Sequence, residues 1–146
     1  MNLHNAENEI EQIGDQWHKL LFLYKNEILI NQLALLDPKI KVLNLNLLLS
    51  ESLINLPKGQ YSLYIEEIIQ NFLYDQSKIY IFQHFEILFD PVLQIHPIRL
   101  FENISKRNKL IVIWPGLYEN GILNYAEVGH PEYFTCSDYE GKVIVN

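Results

Sequence analysis

Two apolar runs end in residues that could do chemistry. The run Ile79-Tyr80-Ile81-Phe82 leads into Gln83-His84-Phe85-Glu86. In phosphoryl-transfer sites such a run ends in an Asp that helps hold Mg²⁺, and a nearby Glu often orients the attacking water. Gln83 stands in the place of that Asp, and a neutral amide does not balance Mg²⁺ as a carboxylate does. Glu86 remains, but a carboxylate with no phosphate cradle beside it is more often a capping or solvated residue. The earlier run, Lys19 to Tyr24 (KLLFLY), is followed by Lys25-Asn26-Glu27, and a helical pattern resumes by Ile28. A phosphate-binding turn here needs the pattern G-x-x-x-x-G-K-[ST], whose backbone N–H groups wrap the anion. None of the six glycines falls between residues 15 and 58. Non-glycine residues reach positive φ only at a cost, three residues are too few to encircle a phosphate, and Glu27 would repel one. Lys25, Asn26, Gln83 and Glu86 therefore mark a vestigial nucleotide site, with no catalytic residue and no cofactor expected.

Other chemistries find less support. His4, His18, His84, His96 and His130 form no H-x-x-x-H or H-x-x-E-H pair, and a zinc site needs several converging ligands, so no metal is expected. Cys136, the lone cysteine, reads as inert beside Thr135 and Ser137. The chain has no G-x-S-x-G elbow and no G-x-G-x-x-G turn, which disfavours an α/β-hydrolase and a dinucleotide enzyme.

These residues must be positioned by a chain of 146 residues, the size of one domain, of which 49% are hydrophobic. Its longest apolar runs fall far short of the ~20 residues of a membrane span. The start MNLHNAENEIEQ has no basic region followed by an apolar one, so it does not read as a signal peptide. Soluble, cytoplasmic behaviour is expected. Eleven basic residues against eighteen acidic ones give a net charge of −7. That balance makes nucleic acid an unlikely primary partner.

Leu3, Ala6, Ile10, Ile13 and Trp17 recur at helical spacing, which predicts an N-terminal helix over 1–17, weakened near its end by Gly14. Strands are expected at Lys19–Tyr24, Lys39–Leu45, Lys78–Phe82 and Lys109–Trp114. Helices are expected over Asn26–Leu36, Leu47–Leu56 capped by Asn46, Tyr61–Leu73, and from Pro97, with Lys106 and Arg107 in the last turn. Gln83–His96 reads as a loop or short helix. Residues 117–146 read as turn-rich, with strand pieces at Ile122–Ala126 and Lys142–Val145. Apolar strands alternating with helices predict a mainly parallel sheet covered on both faces. The order of elements is that of a P-loop protein: one three-layer, P-loop NTPase-like α/β domain over 1–146.

Several segments resemble a known family. Glu86-Ile87-Leu88-Phe89-Asp90-Pro91, Ser105-Lys106-Arg107-Asn108, Ile113-Trp114-Pro115-Gly116, Tyr125-Ala126 and Gly129-His130-Pro131-Glu132-Tyr133 are similar to BrxF, the small P-loop protein of bacteriophage-exclusion (BREX) operons. The resemblance covers roughly residues 79 to 133. It implies a P-loop fold and an accessory role in antiviral defence beside a DNA methyltransferase, a PglZ-like phosphatase-fold protein and large ATPases. The absent phosphate loop and Gln83 depart from the family, so nucleotide hydrolysis does not carry over. The expectation is a pseudo-ATPase that acts through protein–protein contacts, with other defence proteins or with itself. Arg107, Trp114, Gly116, His130, Glu132 and Tyr133 are the candidate motif or contact residues. Trp114 is either a ligand contact or a plug for the space of a nucleotide. The GHPEY segment is either a recognition loop or a rigid turn. The alternatives are a nucleotide-dependent switch built on Lys25, Glu86 and Arg107, and a DNA-contacting adaptor using Lys106, Arg107 and Lys109.

Overall fold

A computed structural model describes residues 3–24 and 27–145. Its five longer helices are α1 (Leu3–Ile13), α2 (Glu27–Leu36), α3 (Leu45–Leu53), α4 (Tyr61–Phe72) and α5 (Pro97–Ser105). The strands are β1 (Leu20–Tyr24), β2 (Ile40–Asn44), β3 (Ile79–Gln83), β4 (Lys109–Ile113), β5 (Leu117–Glu119), β6 (Ile122–Tyr125), β7 (Phe134–Cys136) and β8 (Lys142–Val145).

β1 is buried along its whole length, and β3 and β4 are buried through their centres. Strands covered on both faces read as continuous apolar runs, which is why these three were visible in the sequence. With β2 and β8 they build a five-stranded sheet in the order β2-β3-β4-β1-β8, with every neighbouring pair parallel. Alternate strand residues feed two cores. Leu21, Leu23, Ile81, Ile111 and Ile144 pack with Ile10 and Ile13 of α1 and Ile30 and Leu33 of α2. Leu20, Phe22, Tyr80, Phe82, Leu110 and Val112 face α3, α4, α5 and the later strands. Right-handed crossovers demand such a split. The chain steps outward from β1 to β2 with α2 on one face, then returns through β3 and β4 with α3, α4 and α5 on the other.

The C-terminal fifth of the chain adds a second layer on the α5 face. β5, β6 and β7 form an antiparallel sheet. The β5–β6 turn is Asn120-Gly121, with φ of 54° and 77°, the positive pair that a two-residue hairpin requires. A carboxylate ties this region to α5. Glu102, buried, accepts from Arg99 Nη1 at 2.9 Å and from the Glu140 backbone N–H at 2.6 Å. At the start of α5, His96 caps the helix by accepting the Arg99 N–H on Nδ1 at 3.2 Å. Burial, and then the neighbouring Arg99 cation, hold the His96 ring below its ordinary pKa, which preserves the neutral acceptor that the cap uses.

Several expectations change. α1 stops at Ile13, and residues 14–18 are turn and bend. Trp17 thus leaves the helical stripe and is 77% exposed. The side chains of Leu3 and Ala6 lie outside those described. The cap of α3 is Asn44, whose side chain accepts the Leu47 N–H at 3.0 Å, and not Asn46. α5 ends at Ser105, which leaves Lys106 at its C-cap and Arg107 in the following turn. The Gln83–His96 segment holds two short 3-10 turns, Glu86–Phe89 and Pro91–Leu93. No helix among the described residues is long and apolar enough to cross a membrane.

Candidate functional site

In an open parallel sheet, ligands bind outside the carboxyl ends of the strands, where neighbouring strands send their connections to opposite faces. β1 and β4 are such neighbours: β1 leads into α2 on one face, and β4 leads into the β5–β7 layer on the other. A crevice of about 480 Å³ opens there, lined by Tyr24, Ile30, Asn31, Gln83, His84, Glu86, Ile113, Trp114, Pro115 and Gly116. The structure thus gathers the ends of β1, β3 and β4, including the sequence candidates Gln83, Glu86, Trp114 and Gly116, around one opening. Lys25 and Asn26 lie outside the described residues.

Hydrogen bonds fix the loop after β3, one wall of the crevice. Asn46, in the first turn of α3, holds it at three points. Its backbone N–H donates to the His84 carbonyl at 2.6 Å, its Nδ2 donates to Glu86 Oε2 at 2.7 Å, and its Oδ1 accepts the Ile87 N–H at 3.0 Å. Because Asn44 caps the helix, the Asn46 side chain is left to hold Glu86 and the Ile87 N–H. His84 takes a φ of 51°, a left-handed conformation that costs a non-glycine residue energy. Gln83 closes β3 in register with Asn44. Sequence reasoning missed Asn46 because Asn44 and Asn46 satisfy the same local capping rule; only the packing of β3 against β2 distinguishes them.

The described lining residues carry a net negative charge. Among the described lining residues there is no Lys or Arg, and Glu86 is the one carboxylate. Burial first, and then the negative charges of Glu132 and Glu86, raise the Tyr125 hydroxyl above its ordinary pKa. A polyphosphate brought here meets one carboxylate, Glu86, and no Lys or Arg among the described lining residues.

Trp114 belongs as much to the core as to the crevice. It is 3% exposed, and its ring meets those of Phe22, Phe85, Phe89 and Phe134. Its indole N–H donates to the carbonyls of Leu117 and Asn124, at 3.2 and 3.0 Å. It fastens the β5–β6 hairpin to the parallel sheet and closes one wall of the opening. Gly116 is required by the same joint: a Cβ built there would stand 1.8 Å from the Asn124 carbonyl oxygen.

The remaining candidates lie elsewhere. Arg107 is in the turn that enters β4, at the amino edge of the sheet. The length of a five-residue strand, roughly 17 Å, separates that edge from the Glu86 edge, so a switch built on Glu86 with Arg107 is not assembled. His130, Glu132 and Tyr133 sit in the β6–β7 connection. There His130 Nδ1 accepts the Glu132 N–H at 3.0 Å, and the His130 carbonyl accepts the Tyr133 N–H at 3.0 Å. These bonds make a self-braced turn whose members stay largely at the surface. Cys136 is buried, and its thiol donates to the Asp138 carbonyl at 3.3 Å. Among the described residues no cluster of His, Cys, Asp and Glu could hold a metal ion.

Fold and crevice define an open parallel α/β protein with a switch-point opening. No known family model, curated protein or solved structure matches the chain.

Proposed function

We propose that this protein is a degenerate P-loop scaffold, a pseudo-ATPase that acts through protein–protein contacts, and that it serves as an accessory of bacteriophage defence of the BREX kind. The observation that carries the reading is the junction of β1 and α2. β1 ends at Tyr24 and α2 begins at Glu27, so residues 25 and 26 alone join them. A phosphate loop spans eight motif positions with glycines at two of them, and a two-residue connection has no length for it.

Three further points support the reading. The first strand lies between the fourth strand and the last, so the opening falls at the end of β1, where a P-loop protein keeps its phosphates. The position expected to bind Mg²⁺ is Gln83, which lines that opening. Glu86 is held by Asn46 and faces no described phosphate-binding cation. The defence setting rests on the resemblance of residues 79 to 133 to BrxF.

A scaffold of this kind performs no hydrolysis, so its carboxylate is dispensable as a base. In a phage-sensitive host whose protection depends on this protein, Glu86→Gln is expected to restore the efficiency of plating to within about two-fold of the wild-type protein. The amide oxygen of glutamine still accepts from Asn46, so the loop keeps its shape. Loss of protection in a Glu86→Gln protein that accumulates normally would show that the carboxylate charge is used, and the non-catalytic reading would fall.

A further inference from the structure

The amino edge of the sheet carries a groove that the crevice does not explain. The turn between α1 and β1 and the turn between α5 and β4 lie side by side, stapled by two backbone hydrogen bonds. Lys19 N–H donates to the Ser105 carbonyl at 2.9 Å, and Leu110 N–H donates to the Lys19 carbonyl at 2.8 Å. Between them opens a shallow groove whose lining includes Trp17, Lys19, Lys106, Arg107 and one acid, Asp15. The Lys109 stem runs alongside, its Cε 3.3 Å from where a Cβ on Gly14 would stand.

This is an unusual concentration for a chain of net charge −7: four of its eleven basic residues meet on one edge. Among the described residues none of the four joins a salt bridge. Trp17 presents a ring that is 77% exposed and touches no other described aromatic ring. An exposed tryptophan costs solvation and contributes nothing to the core. Lys19 and Lys106 donate only to neutral oxygens, the Lys106 carbonyl and Asn103 Oδ1. Placed among cations that join no salt bridge, Trp17 has the two components of a single-strand binding surface: a platform on which a base stacks and cations that follow the backbone.

We infer that this groove binds single-stranded nucleic acid, with one base stacked on Trp17 and adjacent phosphates held by Lys19, Lys106 and Arg107. An acidic peptide would satisfy the cations but would leave the indole without a stacking partner, so the nucleic acid is the better fit. The groove lies across the sheet from the Glu86 opening, so this binding does not depend on the scaffold reading.

The test is fluorescence anisotropy of a labelled 12-mer oligo(dT), and in parallel oligo(rU), with the full chain. The expected dissociation constant is roughly 10–100 μM near 50 mM salt, and three phosphate contacts predict a slope of log K against log salt of about −2. Trp17→Ala should weaken binding about ten-fold or more. Lys106→Glu/Arg107→Glu should abolish it with the circular dichroism spectrum unchanged. Either oligonucleotide behaving this way supports the inference. Absence of binding to both at 20 mM salt would overturn it. So would equal affinity for duplex DNA, equal competition by poly-glutamate, or indifference to Trp17→Ala.

Discussion

Replacing Trp114 by alanine is expected to cost about 3–5 kcal/mol of folding stability, which would lower the urea midpoint by about 2 M. The size of the effect follows from what the side chain joins. Its ring is the meeting point of Phe22 from the parallel sheet, Phe85 and Phe89 from the loop after β3, and Phe134 from the small sheet. Truncation leaves a cavity among four rings that cannot all collapse into it. It also deprives two hairpin carbonyls of their donor. Trp114→Phe keeps most of the ring volume and loses only those bonds, so a smaller loss, about 1–2 kcal/mol, is expected. Trp17→Ala supplies the contrast: at 77% exposure it should change stability by less than about 0.5 kcal/mol. Urea denaturation of the three variants checks the ordering. A Trp114→Ala protein within 1 kcal/mol of the parent would show that the small sheet is not fastened through this residue.

Gly116→Ala is the second large effect, and its sign is informative. In a compatible backbone, glycine to alanine stabilises by about 0.4–1 kcal/mol because the unfolded chain loses freedom. Gly116 is not compatible. The added methyl would meet the Asn124 carbonyl oxygen at 1.8 Å, the Asn124 carbonyl carbon at 2.8 Å and Tyr125 Cα at 3.0 Å. All three are backbone atoms, so no side-chain rotation relieves the clash, and the hairpin has to move away from Trp114. The expected loss is about 3 kcal/mol or more. Amide hydrogen exchange should accelerate first in β5 and β6, before the parallel strands. Gly59→Ala, where nothing lies within 4 Å, should be neutral or slightly stabilising. Matching effects at the two glycines would contradict the close approach at Gly116.

The sequence revealed the parallel sheet because residues 20–24, 79–82 and 110–113 are apolar without alternation, a pattern imposed by burial on both faces. It hid β5 and β7. Leu117-Tyr118-Glu119 and Phe134-Thr135-Cys136 are three-residue strands whose extended form comes from pairing with β6 more than from their own propensities. The Asn120-Gly121 turn was a usable signal for β5, since that dipeptide favours a two-residue hairpin.

The crevice was half visible. Gln83 and Glu86 could be placed after a strand, and the short β1–α2 connection could be measured by counting glycines. The role of Asn46 in holding Glu86 could not be recognised, because its three bonds reach residues 84, 86 and 87, far along the chain. The same holds for the amino-edge groove. Helical periodicity carried Trp17 into the α1 stripe, and nothing local shows that the turn after Gly14 swings it out beside Lys106 and Arg107.

Isothermal titration of the full chain with ATP and Mg²⁺ tests the central claim most directly. With only two sequence positions between β1 and α2, the chain should give no binding heat up to millimolar ATP. A saturable isotherm with a micromolar dissociation constant would contradict it, and would require that residues 25 and 26 build an anion site that their number does not allow for.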